Sequence, residues 1–316
     1  MSSSNRNPGI LLESGTNEVE IIEFYVRGQS FGVNVAKVKQ IIPLDHTALS
    51  AMPQTASAFR GVYLHRDTTI PMIDLGDALR LEPLPDGALS PLLLICNFNM
   101  RTMAFAIDGV NRIHRLSWSK FTPLNTFLAT SCDSIIGSVN IDHREILIVD
   151  LEQIVSEYDP RVKAMYAGDD DSVDSGTSIY EQRIIMAEDS SLIRAVLEKG
   201  MRKAGFTNVS IYPNGQEALD AVTAIAKEAS RRGVPLRGRL DAVVTDIEMP
   251  LMDGLTLCRK IKEELHIDVL VMIYSSLINS QMALKCEKVG ADAYFSKPNI
   301  AALVNSVKEH LAVLGS

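Results

Sequence analysis

From about residue 180 onward the chain alternates short, uninterrupted apolar runs with amphipathic stretches of helical period. Arg183 to Ala187, Ala242 to Thr245, Val269 to Tyr274 and Ala293 to Ser296 read as strands. Ser191 to Lys203, Gln216 to Arg231, Leu255 to Leu265, Gln281 to Val289 and Ile300 to Leu314 read as helices. An apolar run without polar alternation belongs to a strand covered on both faces. Five strands and five helices in alternation imply an α/β doubly wound parallel sheet in the order 2-1-3-4-5.

The first 160 residues follow a different pattern. Val19 to Val26 and Ser30 to Asn34 flank a tight glycine turn, and short strands follow at Ala58 to Leu64, Thr69 to Ile73, Pro91 to Asn97, Thr102 to Ile107, Val110 to Leu116, Ile135 to Asn140 and Glu145 to Val149. This is an all-β region with short helices near Lys37 and Asp77. It carries an internal repeat: Gly61 to Asp74-Leu75 and Gly137 to Asp150-Leu151 share a hairpin pattern with the same 13-residue spacing from Gly to Asp. Two similar small barrels explain the match, each ending in a strand that Asp caps into a short helix. Between the halves, Tyr158-Asp-Pro160 ends the apolar pattern, and residues 168–178 are acidic, small and unable to bury themselves. The expected organisation is a loose N-terminus over 1–17, a β domain over 18–158, an acidic tether over 159–180 and an α/β domain over 181–316.

Composition narrows the classes of function. With 46% hydrophobic and 22% charged residues, a chain of 316 residues has material for two domain cores. No apolar run approaches the roughly 20 residues that span a bilayer, and Met1-Ser-Ser-Ser-Asn-Arg-Asn-Pro8 lacks the apolar core of a secretory signal, so a cytoplasmic protein without direct membrane insertion is expected. A formal net charge of −8 argues against nucleic acid as a partner. Cys96, Cys132, Cys258 and Cys286 form no Cys-x-x-Cys pair and suggest neither zinc nor a disulfide framework. His46, His65, His114 and His143 lack ligand spacing and read as surface or packing residues.

The candidate chemistry lies at the strand ends of the second half. Glu188-Asp189, Asp246, Ser275 and Lys297 each follow an apolar run, and in an open parallel sheet those ends share one edge. The 51 residues from Asp246 to Lys297 hold a helix, a strand, a helix and a strand, which returns both groups to that edge. Glu188, Asp189 and Asp246 repel one another unless a cation sits among them, and an all-oxygen set with an open rim suits Mg²⁺. The matching substrate is a phosphoryl group. Asp246 would attack it as nucleophile, the Lys297 ammonium would neutralise its oxygens, and Ser275 would donate a hydrogen bond to one of them.

Residues of about 180 to 314 closely resemble the receiver domain of two-component response regulators. The resemblance is carried by Glu188-Asp189, by Asp246 followed by Met249-Pro250 and Asp253-Gly254, by Ser275, and by Lys297-Pro298. It implies that Asp246 is the phosphoacceptor, that Tyr294 is the aromatic switch residue and that the Glu248 backbone carbonyl is the third protein ligand of Mg²⁺. Residues of about 18 to 157 resemble the CheW family of coupling domains through Gly61-Val-Tyr-Leu-His-Arg66-Asp, Ile70-Pro-Met-Ile-Asp-Leu75, Ala106-Ile-Asp-Gly-Val110 and Ile136-Gly137 to Asp150-Leu151. That likeness implies two linked five-stranded barrels, binding by surface, and a receptor-contact role for Arg66, although Asp67 stands where the family's turn has glycine.

A coupling domain followed by a receiver resembles the CheV family. The expected function is a chemotaxis adaptor, not an enzyme beyond its own phosphorylation and dephosphorylation, that joins chemoreceptors (methyl-accepting chemotaxis proteins) to the histidine kinase CheA at membrane receptor arrays. Phosphorylation at Asp246 would modulate it. The alternative is a phosphate sink that drains CheA by Mg²⁺-dependent autodephosphorylation.

Overall fold

The computed structural model describes residues 17–52, 58–82, 90–98, 101–124, 134–158 and 180–315. The expected loose N-terminus, apart from Asn17, and all of the expected tether before Tyr180 lie outside these residues.

The β half is built from two six-stranded sheets. One has the order β3(Val38–Pro43), β7(Leu92–Phe98), β8(Arg101–Ile107), β6(Thr68–Asp74), β5(Phe59–His65), β4(Leu49–Ser50). The other runs β9(Gly109–Ser117), β1(Glu18–Val26), β2(Gln29–Asn34), β12(Arg144–Val149), β11(Ile135–Ile141), β10(Phe121–Pro123). The two orders match position by position, including one parallel pair in each, β6 with β8 and β12 with β2. Each half exchanges a hairpin with the other. The hairpin β1–β2 completes the sheet of β9 to β12, and β7–β8 completes the sheet of β3 to β6.

Alternation along the strands explains why these sheets pair. Leu93, Ile95, Ile70, Met72, Ala104 and Ala106 point into the first sheet's own interior. Val19, Ile21, Trp118, Phe121, Ile146 and Ile148 fill the second. The opposite faces, with Phe24, Phe31, Ile73, Leu94 and Phe105, belong to one shared cluster. Burying each of these large side chains contributes about 1.5–3 kcal/mol. A carboxylate in this fabric, Glu23, is fully buried. Burial pushes its pKa up, but hydrogen bonds from His114, Arg144 and Asn111 outweigh that and hold it below the usual value.

The expected pair of five-stranded barrels is thus corrected to two six-stranded sheets. The strands missing from the sequence reading are β3, β4 and β10. β3 is a half-exposed edge strand without alternation, and the other two have two and three residues, too few for any period to register. The repeat itself has a steric cause. A Cβ at Gly61 would lie 2.2 Å from the Ser50 carbonyl oxygen of β4, and one at Gly137 would lie 2.5 Å from the Thr122 carbonyl oxygen of β10. Each glycine lets a short edge strand cross close by. Thirteen residues later, Asp74 and Asp150 accept backbone hydrogen bonds at the starts of α1(Leu75–Ala78) and α2(Leu151–Tyr158).

The second half is a parallel sheet in the order β14(Phe206–Tyr212), β13(Tyr180–Ala187), β15(Ala242–Thr245), β16(Leu270–Ser275), β17(Ala293–Ser296). β13 begins three residues earlier than the apolar run suggests, with Tyr180 stacked on Phe206 at 4.7 Å. Ile184, Met186, Val244 and Met272 meet α3(Ser191–Lys203) and α7(Ile300–Gly315) on one face. Ile185, Val243, Val271 and Ile273 meet α4(Gly215–Arg232), α5(Gly254–Arg259) and α6(Ser280–Lys288) on the other. Lys260–Glu264, expected to continue α5, form a π-helical turn. Among the described residues no helix is long and apolar enough to cross a membrane. Cys96, Cys258 and Cys286 are buried free thiols, and Cys132 lies outside the described residues.

Gly137→Ala should destabilise the β domain by about 1–3 kcal/mol, because the new methyl meets Phe121 Cζ at 2.3 Å as well as backbone. The chain's single tryptophan, Trp118, sits 5.7 Å from Phe121, so its fluorescence in a urea titration reports the loss. An unchanged midpoint would show that β10 yields freely.

Candidate functional site

The site begins with β15, whose four residues are all buried between β13 and β16 and therefore all apolar or small. In the parallel register Thr245 lies beside Ala187, and the Asp246 amide donates to the Ala187 carbonyl at 2.9 Å. The acidic pair Glu188-Asp189 therefore leaves β13 at the level where Asp246 leaves β15. At the next strands Ser275 pairs with Ser296, and the Lys297 amide donates to the Ser275 carbonyl at 3.1 Å. The expected convergence of four strand ends is what the structure shows.

Side chains draw the cluster tight. Lys297 Nζ donates to Asp246 Oδ2 at 2.8 Å and forms an ion pair with Glu188 Oε2 at 2.7 Å. The other Asp246 oxygen accepts from the Ile247 amide at 2.6 Å. One oxygen each from Glu188, Asp189 and Asp246 lie within 4.8 Å of one another. Glu188, Asp246 and Lys297 are 1%, 5% and 3% exposed, so little water shares their charge. Gly254 holds the loop closed, since a Cβ there would lie 1.8 Å from the Asp246 carbonyl oxygen. Asp253 caps α5 beside it through the Thr256 amide at 2.8 Å.

Electrostatics follow from this crowding. Burial first, and then the Asp246 charge, push Glu188 up to about 8 against the opposing pull of Lys297. Burial, Glu188 and Asp246 raise Asp189 well above the ordinary aspartate range. Glu248 rises to about 7, mainly through burial and against the pull of Lys37. Lys297 loses by burial but gains more from Asp246 and Glu188, and its pKa lies well above the usual lysine value. An oxygen-only set of three carboxylates, one oxygen of each within 4.8 Å of the others, fits a hard divalent cation such as Mg²⁺.

Of the other expected residues, Tyr294 is half-buried, and its hydroxyl reaches outward to Glu287 Oε1 at 3.1 Å. The Glu248 side chain turns away from the cluster toward the β domain. Arg66 stands apart from the cluster, exposed at the tip of the β5–β6 hairpin. There Arg66 and Asp67 take φ of 45° and 63°, so the two-residue turn keeps its left-handed form with Asp where glycine was expected.

Most of the residues that sequence reasoning missed come from the β domain. Lys37, which follows the β2 strand, lies 3.4 Å from both Glu248 Oε2 and Glu152 Oε1. Asn34 donates to Glu248 Oε1, Ser276 donates to Glu152 Oε1 at 3.0 Å, and Asn17 both donates to the Leu251 carbonyl and accepts from the Asp253 amide. Arg194 of α3 adds a clamp on the Glu188 and Asp189 carbonyls at 2.9 and 2.6 Å. The one legible signal was Glu152, a carboxylate within the buried run Leu151 to Ser156 of α2.

Comparison with known proteins gives two family matches, CheW-like domain over residues 20–159 and response regulator receiver domain over residues 184–308. The chain is 27% identical over 293 residues to chemotaxis protein CheV3 of Helicobacter pylori, covering 89% of this chain and 91% of that one. It is 23% identical over 296 residues to CheV2 of the same organism, covering 90% of each. Among solved structures, the scaffolding protein TtCheW from Thermoanaerobacter tengcongensis aligns at 16% identity and a TM-score of 0.36, over 42% of this chain and 88% of that chain.

The raised carboxylates fix a pH dependence. A carboxyl whose pKa is higher folded than unfolded favours folding at low pH and opposes it as pH rises toward the folded value. Glu188, pushed up to about 8, accordingly holds its proton over much of the neutral range, and a divalent cation binding there must displace it. Mg²⁺ affinity should rise from about pH 6 to about pH 8, with proton release on binding. Calorimetric titration near pH 7 in two buffers of different ionisation enthalpy measures that release, and identical heats would refute it.

Proposed function

The chain belongs to the CheV family, a CheW-like domain followed by a receiver, and on that premise we propose that it is a chemotaxis adaptor joining chemoreceptors to the histidine kinase CheA, adjusted by phosphorylation of Asp246. The observation that carries this reading is the buried Lys297 ammonium at 2.8 Å from Asp246, with Glu188 and Asp189 alongside. One Asp246 oxygen is held by the Ile247 amide and the other by Lys297, which orients the carboxylate as a nucleophile. Glu188, Asp189, Asp246 and the Glu248 backbone carbonyl would hold Mg²⁺, which neutralises charge on the transferred phosphoryl oxygens. Ser275, fully buried at the end of β16, would move toward the phosphoryl group and donate to it. Tyr294, half-buried and with its hydroxyl bonded to Glu287 at the surface, is placed to follow that movement inward.

The coupling half supplies a surface rather than a reaction. Arg66 in the exposed β5–β6 turn follows Leu64 by two residues, and Leu64 is 55% exposed, so a basic group and an unburied apolar one share the hairpin tip. We read this tip as the receptor contact. In the phosphate-sink alternative, Glu248 must steer an attacking water. Its carboxylate is engaged by Asn34 and Lys37 instead, which favours the adaptor.

Incubation with acetyl phosphate and Mg²⁺, read by intact mass, should add one phosphoryl group to the wild type and none to Asp246→Asn. Labelling of both proteins, or of neither, would remove Asp246 from the role. Arg66→Glu should weaken co-sedimentation with receptor-containing membranes several-fold while leaving the urea midpoint unchanged, and undiminished co-sedimentation would relocate the receptor contact.

A further inference from the structure

The phosphorylation cluster is closed from above by the coupling domain. Asn17, Asn34, Lys37 and Glu152 all make polar contacts with receiver residues, and three of the contacted segments are functional loops: Glu248, Leu251 to Asp253, and Ser276. Beside it, a cleft of about 350 Å³ lies between the domains, lined by Pro123, Ile136 and Asp150 on one side and by Asp189, Arg194 and Pro250 on the other. That space admits a small anion such as acetyl phosphate.

Two features make this closure sensitive to the site's chemistry. The first is charge. The coupling domain brings two buried carboxylates, Asp150 and Glu152, and one ammonium, Lys37, to a site already rich in carboxylates. The second is adjacency. Ser276, which bonds Glu152, directly follows Ser275, the hydroxyl residue read as moving toward the phosphoryl group.

We propose that the coupling domain docks over the phosphorylation site through Lys37, Glu152, Asn34 and Asn17, and that docking and phosphorylation of Asp246 oppose each other. The proposal rests on the reading of Asp246 as phosphoacceptor. In the transfer, an Asp246 oxygen forms a bond to phosphorus as the donor's P–O bond breaks and acetate leaves with the electron pair. A carboxylate of charge about −1 becomes an acyl phosphate of about −2 at neutral pH. The added charge faces Glu152 and Asp150, and movement at Ser275 pulls Ser276 from Glu152. Both effects separate the domains and expose the face of the coupling domain that carries Lys37.

The test uses the full chain as wild type, Lys37→Glu and the charge-neutral Asn17→Ala. Hydrogen exchange over residues 34–38 and 149–156 is compared without and with Mg²⁺ and beryllofluoride, and initial phosphorylation rates are taken with acetyl phosphate. Wild type should exchange faster in both segments when beryllofluoride is bound. Both variants should exchange faster without it and accept the phosphoryl group several-fold faster than wild type. The direction for Lys37→Glu is decisive: if Lys37 acted only by its charge, its loss would slow attack on an anionic donor. Labelling of wild type with unchanged exchange, or variant rates at or below wild type, would overturn the proposal while leaving Asp246 as phosphoacceptor. No labelling in any of the three proteins would overturn that reading and the proposal with it.

Discussion

Among the described residues, Asp150 and Glu152 from one domain and Glu188, Asp189, Asp246 and Glu248 from the other share a junction with two ammonium groups, Lys37 and Lys297. Two like charges about 4 Å apart repel by about 4 kcal/mol at the effective dielectric of a protein near its surface. Several such pairs together match the entire stability of an ordinary domain, about 5–15 kcal/mol. The excess must therefore be relieved by protons on the carboxylates, by a cation, or by separation of the domains. Glu152 shows the balance at one residue: burial raises its pKa, yet Lys37 and Lys297 together bring it below the ordinary glutamate value. Occupancy of the site and contact between the domains are thus tied through a common charge account.

The architecture of the coupling domain puts the junction where it is. Asn34 and Lys37 lie on the passage from β2 to β3, where the chain leaves one sheet for the other. At the other end of β2, Arg27 also ties the sheets together, reaching from the β1–β2 turn to Asp74 at 3.1 Å and to the Leu81 carbonyl at 2.6 Å. A receiver seated over that crossing touches both sheets' connections rather than the outer face of either. The exposed Arg66 hairpin belongs to the far end of the β4–β5–β6 edge and is left uncovered.

The receiver half was legible because its signals are local. Strands covered on both faces read as unbroken apolar runs, and catalytic side chains in such a sheet follow strand ends, so Asp246, Ser275 and Lys297 could be named from their place after those runs. The coupling half was legible only as far as its periodicity reached. Its paired glycines and capping aspartates announced the repeat, but β4 and β10 are too short to carry a period. Hairpin exchange left no trace either, because pairing partners tens of residues apart leave no local pattern. Lys37 had no sequence signal at all. Its role comes from tertiary docking, and only Glu152, a charge placed inside a buried helical run, hinted that a second surface was waiting for it.

The exchange of hairpins also governs the order in which the chain can complete itself. β1 and β2 are made first, yet their ladder partners β9 and β12 begin at residues 109 and 144. The opening hairpin must wait, with both edges unpaired, through the synthesis of an entire sheet. Long-range closure of this kind slows folding relative to local pairing. No cut between the two sheets yields a self-sufficient half, so the coupling region behaves in assembly and inheritance as one indivisible unit, despite a sequence that reads as two copies of a smaller one.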